Sequence, residues 1–264
     1  MIWFAGYLLL GALAGFFAGL LGVGGGAIMV PVLALLFAAQ DFPQEHLMHL
    51  ALGTSMAAIV FTSLSSLRAH HRHGAVRWPI VRSIAPGILL GTFLGAQLAS
   101  VLPTRPLAIF FTVFMSYVAF QLFANIKPKP SRQLPGRFAM FATGGAIGAI
   151  SALAAIGGGT MSVPFMLWCN VKMHEAIGTS AAIGFPIALA GTAGYLLGGW
   201  QATHLPPGSV GFVYLPALAA CVATSMLTAP LGAQAAHRLP VATLKKIFAG
   251  VILLLLAKLL HGLS

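Results

Sequence analysis

Long apolar runs separated by short polar stretches organise the chain. They cover roughly residues 2–23, 26–39, 47–67, 79–101, 106–126, 138–156, 160–171, 175–199, 209–236 and 244–262. A helix crosses a bilayer with about 20 apolar residues, so most of these runs predict membrane helices. Two of them, 26–39 and 160–171, are short. At 1.5 Å per residue they reach about 18–21 Å, well under a hydrocarbon core of about 30 Å. Each follows a glycine run, so each is expected to be the return arm of a hairpin whose tip lies inside the membrane. Gly11, Gly15 and Gly19 recur every four residues, as do Gly87, Gly91 and Gly95, and Gly144 with Gly148. Small residues at that spacing let helix backbones approach closely in lipid.

The pattern occurs twice. Gly24-Gly25-Gly26 with Val30-Pro31 returns as Gly157-Gly158-Gly159 with Val163-Pro164, 133 residues on. His49 and Gly53-Thr54-Ser55 return as His174 and Gly178-Thr179-Ser180, 125 residues on. Gly95-Ala96-Gln97 with Leu102-Pro103 returns as Gly232-Ala233-Gln234 with Leu239-Pro240, 137 residues on. Three motifs in one order divide the chain into two homologous halves, residues 1–126 and 138–264. The Pro-rich polar stretch Lys127–Arg137 joins them.

Composition confirms the setting. Apolar residues make up 59% of the 264, and only 6% are charged; a water-soluble domain is about a quarter charged. A solvated globular surface is thereby excluded, and disorder with it, since disorder needs low hydrophobicity. The formal charge of +11 does not point to nucleic acid, because the basic residues cluster between apolar runs, where they act as topology signals. Placing Arg68, Arg72, Arg77, Arg82, the linker cations, Lys172, Arg238, Lys245 and Lys246 on the cytoplasmic side leaves only Arg105 and Lys258 outside. That division requires both glycine-tipped hairpins to return to the side they came from. Both termini then lie outside, and the halves are inverted relative to one another. Met1-Ile2-Trp3-Phe4 lacks a positive n-region, so the first run is expected to be a retained helix. The expected fold is all-α and polytopic, with about 8–10 membrane segments in two inverted-topology repeats.

The chemistry available is narrow. Asp41, Glu45 and Glu175 are the only carboxylates, and Cys169 and Cys221 lack metal or disulfide spacing. No metal or cofactor is expected, and no Walker sequence is present. Non-helical backbone survives in a membrane only beside protein or a wet cavity, so the two glycine breaks mark functional depth. The helix beginning after each break presents free amides and a partial positive charge, a ready anion site. Expected substrate contacts are Gly24, Gly25 and Gly26 in the first break, and Gly157, Gly158, Gly159 and Thr160 in the second. Thr54, Ser55, Thr179 and Ser180 would add hydroxyls, although hydroxyls in membrane helices also bond their own preceding carbonyls. His49 and His174, one turn before each triad, are candidates for coupling or gating; the topology sets them near opposite faces. Arg68-Ala-His-His-Arg-His73 is expected to be a cytoplasmic loop that meets lipid headgroups. Gln97 and Gln234 line a pathway or bond across helices.

Gly15 through Leu33, His49 through Ser55, Gly148 through Pro164 and Ala176 through Ala182, with Tyr195 downstream, resemble the sulfite exporter TauE/SafE family of bacterial membrane transporters. The likeness extends over nearly the whole chain. It implies a cytoplasmic-membrane transporter of sulfur-containing anions such as sulfite or sulfonates, usually an exporter. The expectation is therefore a secondary transporter working by alternating access in the inner cell membrane. Its partners would be a small anion, the bilayer, a coupling proton and a second copy of the chain, with no nucleic acid. The alternatives are an anion channel and, ranked below it, a membrane-embedded enzyme.

Overall fold

A computed structural model describes residues 2–22, 25–124, 131–238 and 241–263. Residues 1, 23–24, 125–130, 239–240 and 264 lie outside the described residues, so the expected contact at Gly24, part of the linker and the Leu239-Pro240 motif do too. The chain runs through α1 (Ile2–Leu21), α2 (Gly26–Ala38), α3 (Leu47–Arg72), α4 (Trp78–Val101) and α5 (Thr104–Phe123). It continues through α6 (Arg137–Ala154), α7 (Gly159–Trp168), α8 (Met173–Gly198), α9 (Leu215–Arg238) and α10 (Val241–Leu263). Strands β1 (Ser209–Val210) and β2 (Val213–Tyr214) form one small antiparallel pair before α9. The protein is an all-α polytopic membrane protein. Among the described residues, seven helices are long and apolar enough to cross a membrane: α1, α3, α4, α5, α6, α8 and α9. Leu90, Leu94 and Leu98 on α4 and Val113, Tyr117 and Phe120 on α5 are exposed, giving each helix an apolar face suited to lipid.

Both short helices turn back. After α1 the backbone reverses through Gly22 (φ +67) and Gly25 (φ +80), dihedrals that glycine adopts without a Cβ penalty. α2, only 13 residues long, then ends beside the start of α1. There Gln40 Nε2 donates to the Tyr7 hydroxyl at 2.6 Å, and Phe37 meets the Tyr7 ring edge-on at 6.3 Å. The second hairpin closes likewise. The carbonyl of Trp168, at the end of α7, accepts the amides of Ser131 and Arg132, both at 3.2 Å, in the segment leading into α6. The Trp168 indole donates to Ser131 Oγ at 2.7 Å, and the Arg132 guanidinium sits 4.4 Å over its ring.

The glycine series explains the strongest helix contacts. α1 lies along α9, with Gly11 against Cys221 and Thr224, Gly15 against Ser225 and Thr228, and Gly19 against Ala229 and Ala233. α4 lies along α6 in the same way, through Gly87, Gly91 and Gly95 on one side and Gly144 and Gly148 on the other. At these positions a side chain would meet the neighbouring backbone. Gly232 rests on the carbonyl of Phe16 and Gly95 on that of Ala149, residues 133 apart like the glycine breaks. α3 and α8 cross the centre antiparallel: Gly53 meets Tyr195, Met56 meets Gly191, and Ser63 meets Gly184.

These contacts sort the charges. Arg68 and Arg72 end α3, Arg77 and Arg82 begin α4, Arg137 begins α6 and Lys172 precedes α8, all at one end of the bundle. Glu175, in the first turn of α8, pairs with Arg77 there at 3.5 Å. Asp41, Glu45 and Arg105 lie at the other end, where Thr104 Oγ1 donates to the Glu45 carbonyl.

Two expected boundaries move. Residues 209–214, apolar but carrying Gly208 (φ +89) and Gly211 (φ +52), form the β pair instead of the start of α9. Arg68 through Arg72 is not a loop but the end of α3, because His70 turns inward and its Nε2 lies 3.1 Å from the Gly19 carbonyl.

Candidate functional site

The two glycine breaks form with nearly the same geometry. Gly25 precedes α2 with φ 80° and ψ −10°, and Gly158 precedes α7 with φ 78° and ψ −12°. Neither glycine can cap its helix with a side chain. The amides that follow, at Gly26, Gly159 and Thr160, open helices and have no intrahelical acceptor. α6 ends at Ala155 in the left-handed region (φ 45°), at the place where α1 ends at Gly22. Gly26 packs so closely on the Ala155 carbonyl that any side chain there would run into it. The start of α2 thus lies against the end of α6, and the breaks meet in the interior.

The Gly-Thr-Ser triads divide their work. Gly53 packs on the carbonyl of Phe212, and Gly178 on that of Ala75. Thr54 Oγ1 accepts the Tyr214 amide at 2.9 Å, and Thr179 Oγ1 accepts the Arg77 amide at 3.0 Å. Tyr214 and Arg77 are the residues just before α9 and α4. Gly and Thr therefore fasten the two segments that lead into the glycine-packed helices, and the oxygens of Thr54 and Thr179 are occupied by backbone. Of the serines, Ser180 faces the first break. Ser180 Oγ donates to the Gly22 carbonyl at 3.1 Å and accepts from Ser162 Oγ at 3.1 Å. Ser55 is fully buried, and its hydroxyl has no partner among the described residues.

Between the breaks lies a small cavity of about 10 Å³, the least volume that holds one water. Ala18 and Gly22 from α1 and its end, Gly157 from the second break, Ser63 and Ser66 from α3, and Ala181 and Gly184 from α8 line it. Ser63 Oγ donates to the Val60 carbonyl at 3.1 Å. Ser66 Oγ is buried with no partner among the described residues. A tetrahedral oxyanion does not fit this volume. Ser63, Ser66 and Ser162 are absent from the sequence-based expectation. The available signal was the hydroxyl cluster Thr62-Ser63-Leu64-Ser65-Ser66 in an apolar helix.

The two repeat-related histidines are far apart in character. His49 is buried near the acidic end, its Nε2 2.9 Å from the Leu102 carbonyl and its ring 4.8 Å from that of Phe212. His174 is exposed in the first turn of α8 at the basic end. Gln97 Nε2 reaches the Gly194 carbonyl on α8 at 3.4 Å, a bond across helices, whereas Gln234 is exposed. All three carboxylates sit toward the ends, so nothing negative opposes an anion at the breaks.

The chain matches the model of the family described as sulfite exporter TauE/SafE over residues 7–259. It is 40% identical over 243 residues to a probable membrane transporter protein of Haemophilus influenzae, covering 92% of each chain. It is 26% identical to the probable membrane transporter protein YunE of Bacillus subtilis, over 96% of each. The probable membrane transporter protein YdhB of the same organism is 27% identical over 88% of this chain and 90% of its own. No solved structure matches the chain. Family and relatives are described as membrane transporters and not as enzymes, and a family match across almost the full length leaves one conclusion: the chain belongs to the sulfite exporter TauE/SafE family of membrane transporters.

Proposed function

We propose that this membrane transporter is a secondary carrier of a small anion, a sulfur oxyanion or organosulfonate, in the cytoplasmic (inner) cell membrane. Its two halves, residues 1–126 and 138–264, act as inverted repeats that rock against one another around a midplane site, with residues 127–137 as the cytoplasmic linker. One observation carries the reading: two helix starts without side-chain caps have matching geometry, at Gly25-Gly26 and Gly158-Gly159, and the first packs on Ala155 at the edge of the second break. Discontinuous helices that aim their N-termini at an anionic group are the device secondary transporters place at their substrate site. Gly24 and Gly157 complete the breaks, the Thr160 amide adds a donor, and Ser55 and Ser180 supply hydroxyls. Thr54 and Thr179 hold the surrounding frame through their loop amides, with only their hydroxyl protons left to offer. The antiparallel course of α3 and α8, which carry equivalent motifs, supports inversion of the halves. The sulfur class is supported by the family's description. A coupling proton would be carried by His49 or His174.

Sulfite and sulfonate flux into proteoliposomes, with and without a pH gradient, tests the assignment. Saturable flux that shows counterflow establishes a carrier, and acceleration by the gradient establishes proton coupling. Flux that neither saturates nor shows counterflow would make the protein a channel. Absence of flux for both anions in competent vesicles would remove the sulfur assignment.

A further inference from the structure

The two halves differ in side chains just beside the breaks. At the triad spacing of 125 residues, Ala181 and Gly184 on α8 stand where α3 has Met56 and Ile59. Ser63 and Ser66 on α3 stand where α8 has Ala188 and Gly191. Met56 and Ile59 are fully buried, and they fill the space that the repeat would otherwise leave open. Met56 Sδ comes to 3.0 Å of where a Cβ on Gly191 would lie, and Ile59 Cδ1 to 3.2 Å of one on Gly26. On the other side Ala181 and Gly184 leave the cavity open, and Ser66, whose buried hydroxyl has no partner among the described residues, lines it. Two equivalent places exist by repetition; one is plugged with hydrocarbon, and the other is hollow and polar.

We infer that the cavity is the anion subsite, that it is one-sided, and that Ser66 is a substrate-binding residue. This rests on the reading of the protein as an anion carrier. The chemistry selects an acceptor-rich ligand: Ser66 Oγ has a proton to donate, and the backbone of both breaks lines the same space. Native interiors rarely leave a buried hydroxyl without a partner, and a bound oxyanion would supply one. Ser63, already bonded to Val60, is secondary. The subsite enlarges when the halves part. The way out leads toward the basic end. One turn beyond Ser66 on α3, His70 meets the Gly19 carbonyl of α1, and separating that contact would open the cavity at the end where the arginines gather.

Three variants test this in the full-length protein with sulfite as the probe. Ser66→Ala should raise KM for sulfite flux about tenfold, the loss expected for one hydrogen bond to a charged ligand, with maximal rate and folded yield retained. Gly184→Ile, which installs the residue of the opposite half, should abolish flux and the shift in thermal unfolding that sulfite produces. Wild-type KM and an unchanged sulfite-induced shift in folded Ser66→Ala protein would overturn the assignment and leave anion transport itself intact. Labelling gives a readout independent of flux. With Cys169 and Cys221 replaced by Ala, Ser66→Cys should react with an anionic methanethiosulfonate, and sulfite should protect it. No reaction in transport-competent protein would overturn the subsite. Reaction without protection, in protein that moves no sulfite or sulfonate, would support the cavity as an anion-accessible pocket while overturning the sulfur substrate class.

Discussion

Ser180 Oγ donates to the carbonyl of Gly22 at 3.1 Å across 158 residues of sequence. The bond ties the central helix of the second half to the point where α1 breaks. Ser162 Oγ donates in turn to Ser180, so α7, α8 and the end of α1 share one hydroxyl chain. Ser180→Ala leaves the Gly22 carbonyl without this donor and Ser162 without its acceptor. Hydrogen bonds within membrane proteins are worth about 0.6 kcal/mol on average and about 1.7 at most. The variant should therefore lose about 1 kcal/mol of stability, yet transport should fall by far more than the folded fraction does. Thermal unfolding in detergent beside flux in vesicles separates the two effects. Equal losses in both would make the bond a purely structural one.

The adjacent threonines should behave in the opposite way. Thr54 and Thr179 each accept one loop amide, from Tyr214 and Arg77. Thr54→Val and Thr179→Val keep the shape and remove the acceptor, which leaves a buried amide unsatisfied at a cost of about 1–3 kcal/mol. Both variants should unfold at lower temperature with KM for the transported anion close to wild type, and Thr→Ser at either position should restore stability. A large KM change in Thr54→Val or Thr179→Val with unchanged stability would return these residues to the substrate.

That contrast shows what a sequence conceals. Thr54 and Ser55 are neighbours in the chain but point about 100° apart on a helix of 3.6 residues per turn, so one bonds a loop amide and the other is buried without a partner among the described residues. Motif spacing cannot tell which is which without the partner helices. The breaks themselves were legible, because three glycines before a short apolar run have few other uses inside a membrane. The turned-back short helices and most helix boundaries followed from apolar run length. Residues 209–214 were misassigned since β1, β2 and a helix start share apolar side chains, and only the positive φ of Gly208 and Gly211 separates them. The Ser66 cavity was invisible because it depends on the smallness of Ala181 and Gly184, far away in sequence. The inward turn of His70 was hidden by the polar residues around it.

Adjacent glycines on α6 give a sharp packing test. A Cβ on Gly144 would come to 2.5 Å of the Ile84 carbonyl, whereas one on Gly145 would sit 3.8 Å from the Gly87 carbonyl. Gly144→Ala forces α4 and α6 apart, and overpacking of this kind costs about 1–3 kcal/mol. Gly145→Ala makes ordinary contact and removes a flexible residue from a helix interior, a gain of about 0.5–1 kcal/mol. Unfolding temperatures of the two variants should move in opposite directions. A shift of the same sign in both would mean that α4 and α6 do not pack through this face.

The orientation of the bundle is testable from the same contacts. Arg72 at the end of α3 and Gln133 before α6 are exposed at the basic end, and Gln44 is exposed at the opposite end before α3. An excess of Arg and Lys marks the cytoplasmic face. In protein whose Cys169 and Cys221 are replaced by Ala, Arg72→Cys and Gln133→Cys should react with a membrane-impermeant thiol reagent only after the cytoplasmic face is opened. Gln44→Cys should react in intact cells from which any outer barrier has been removed. Two helices, α4 and α5, lie between residues 72 and 133, and one, α3, lies between residues 44 and 72. If each crosses once, residues 72 and 133 share a face and residue 44 lies on the other. Labelling of residues 72 and 133 from opposite sides would mean that α4 or α5 does not span, and labelling of residue 44 from the same side as residue 72 would mean that α3 does not.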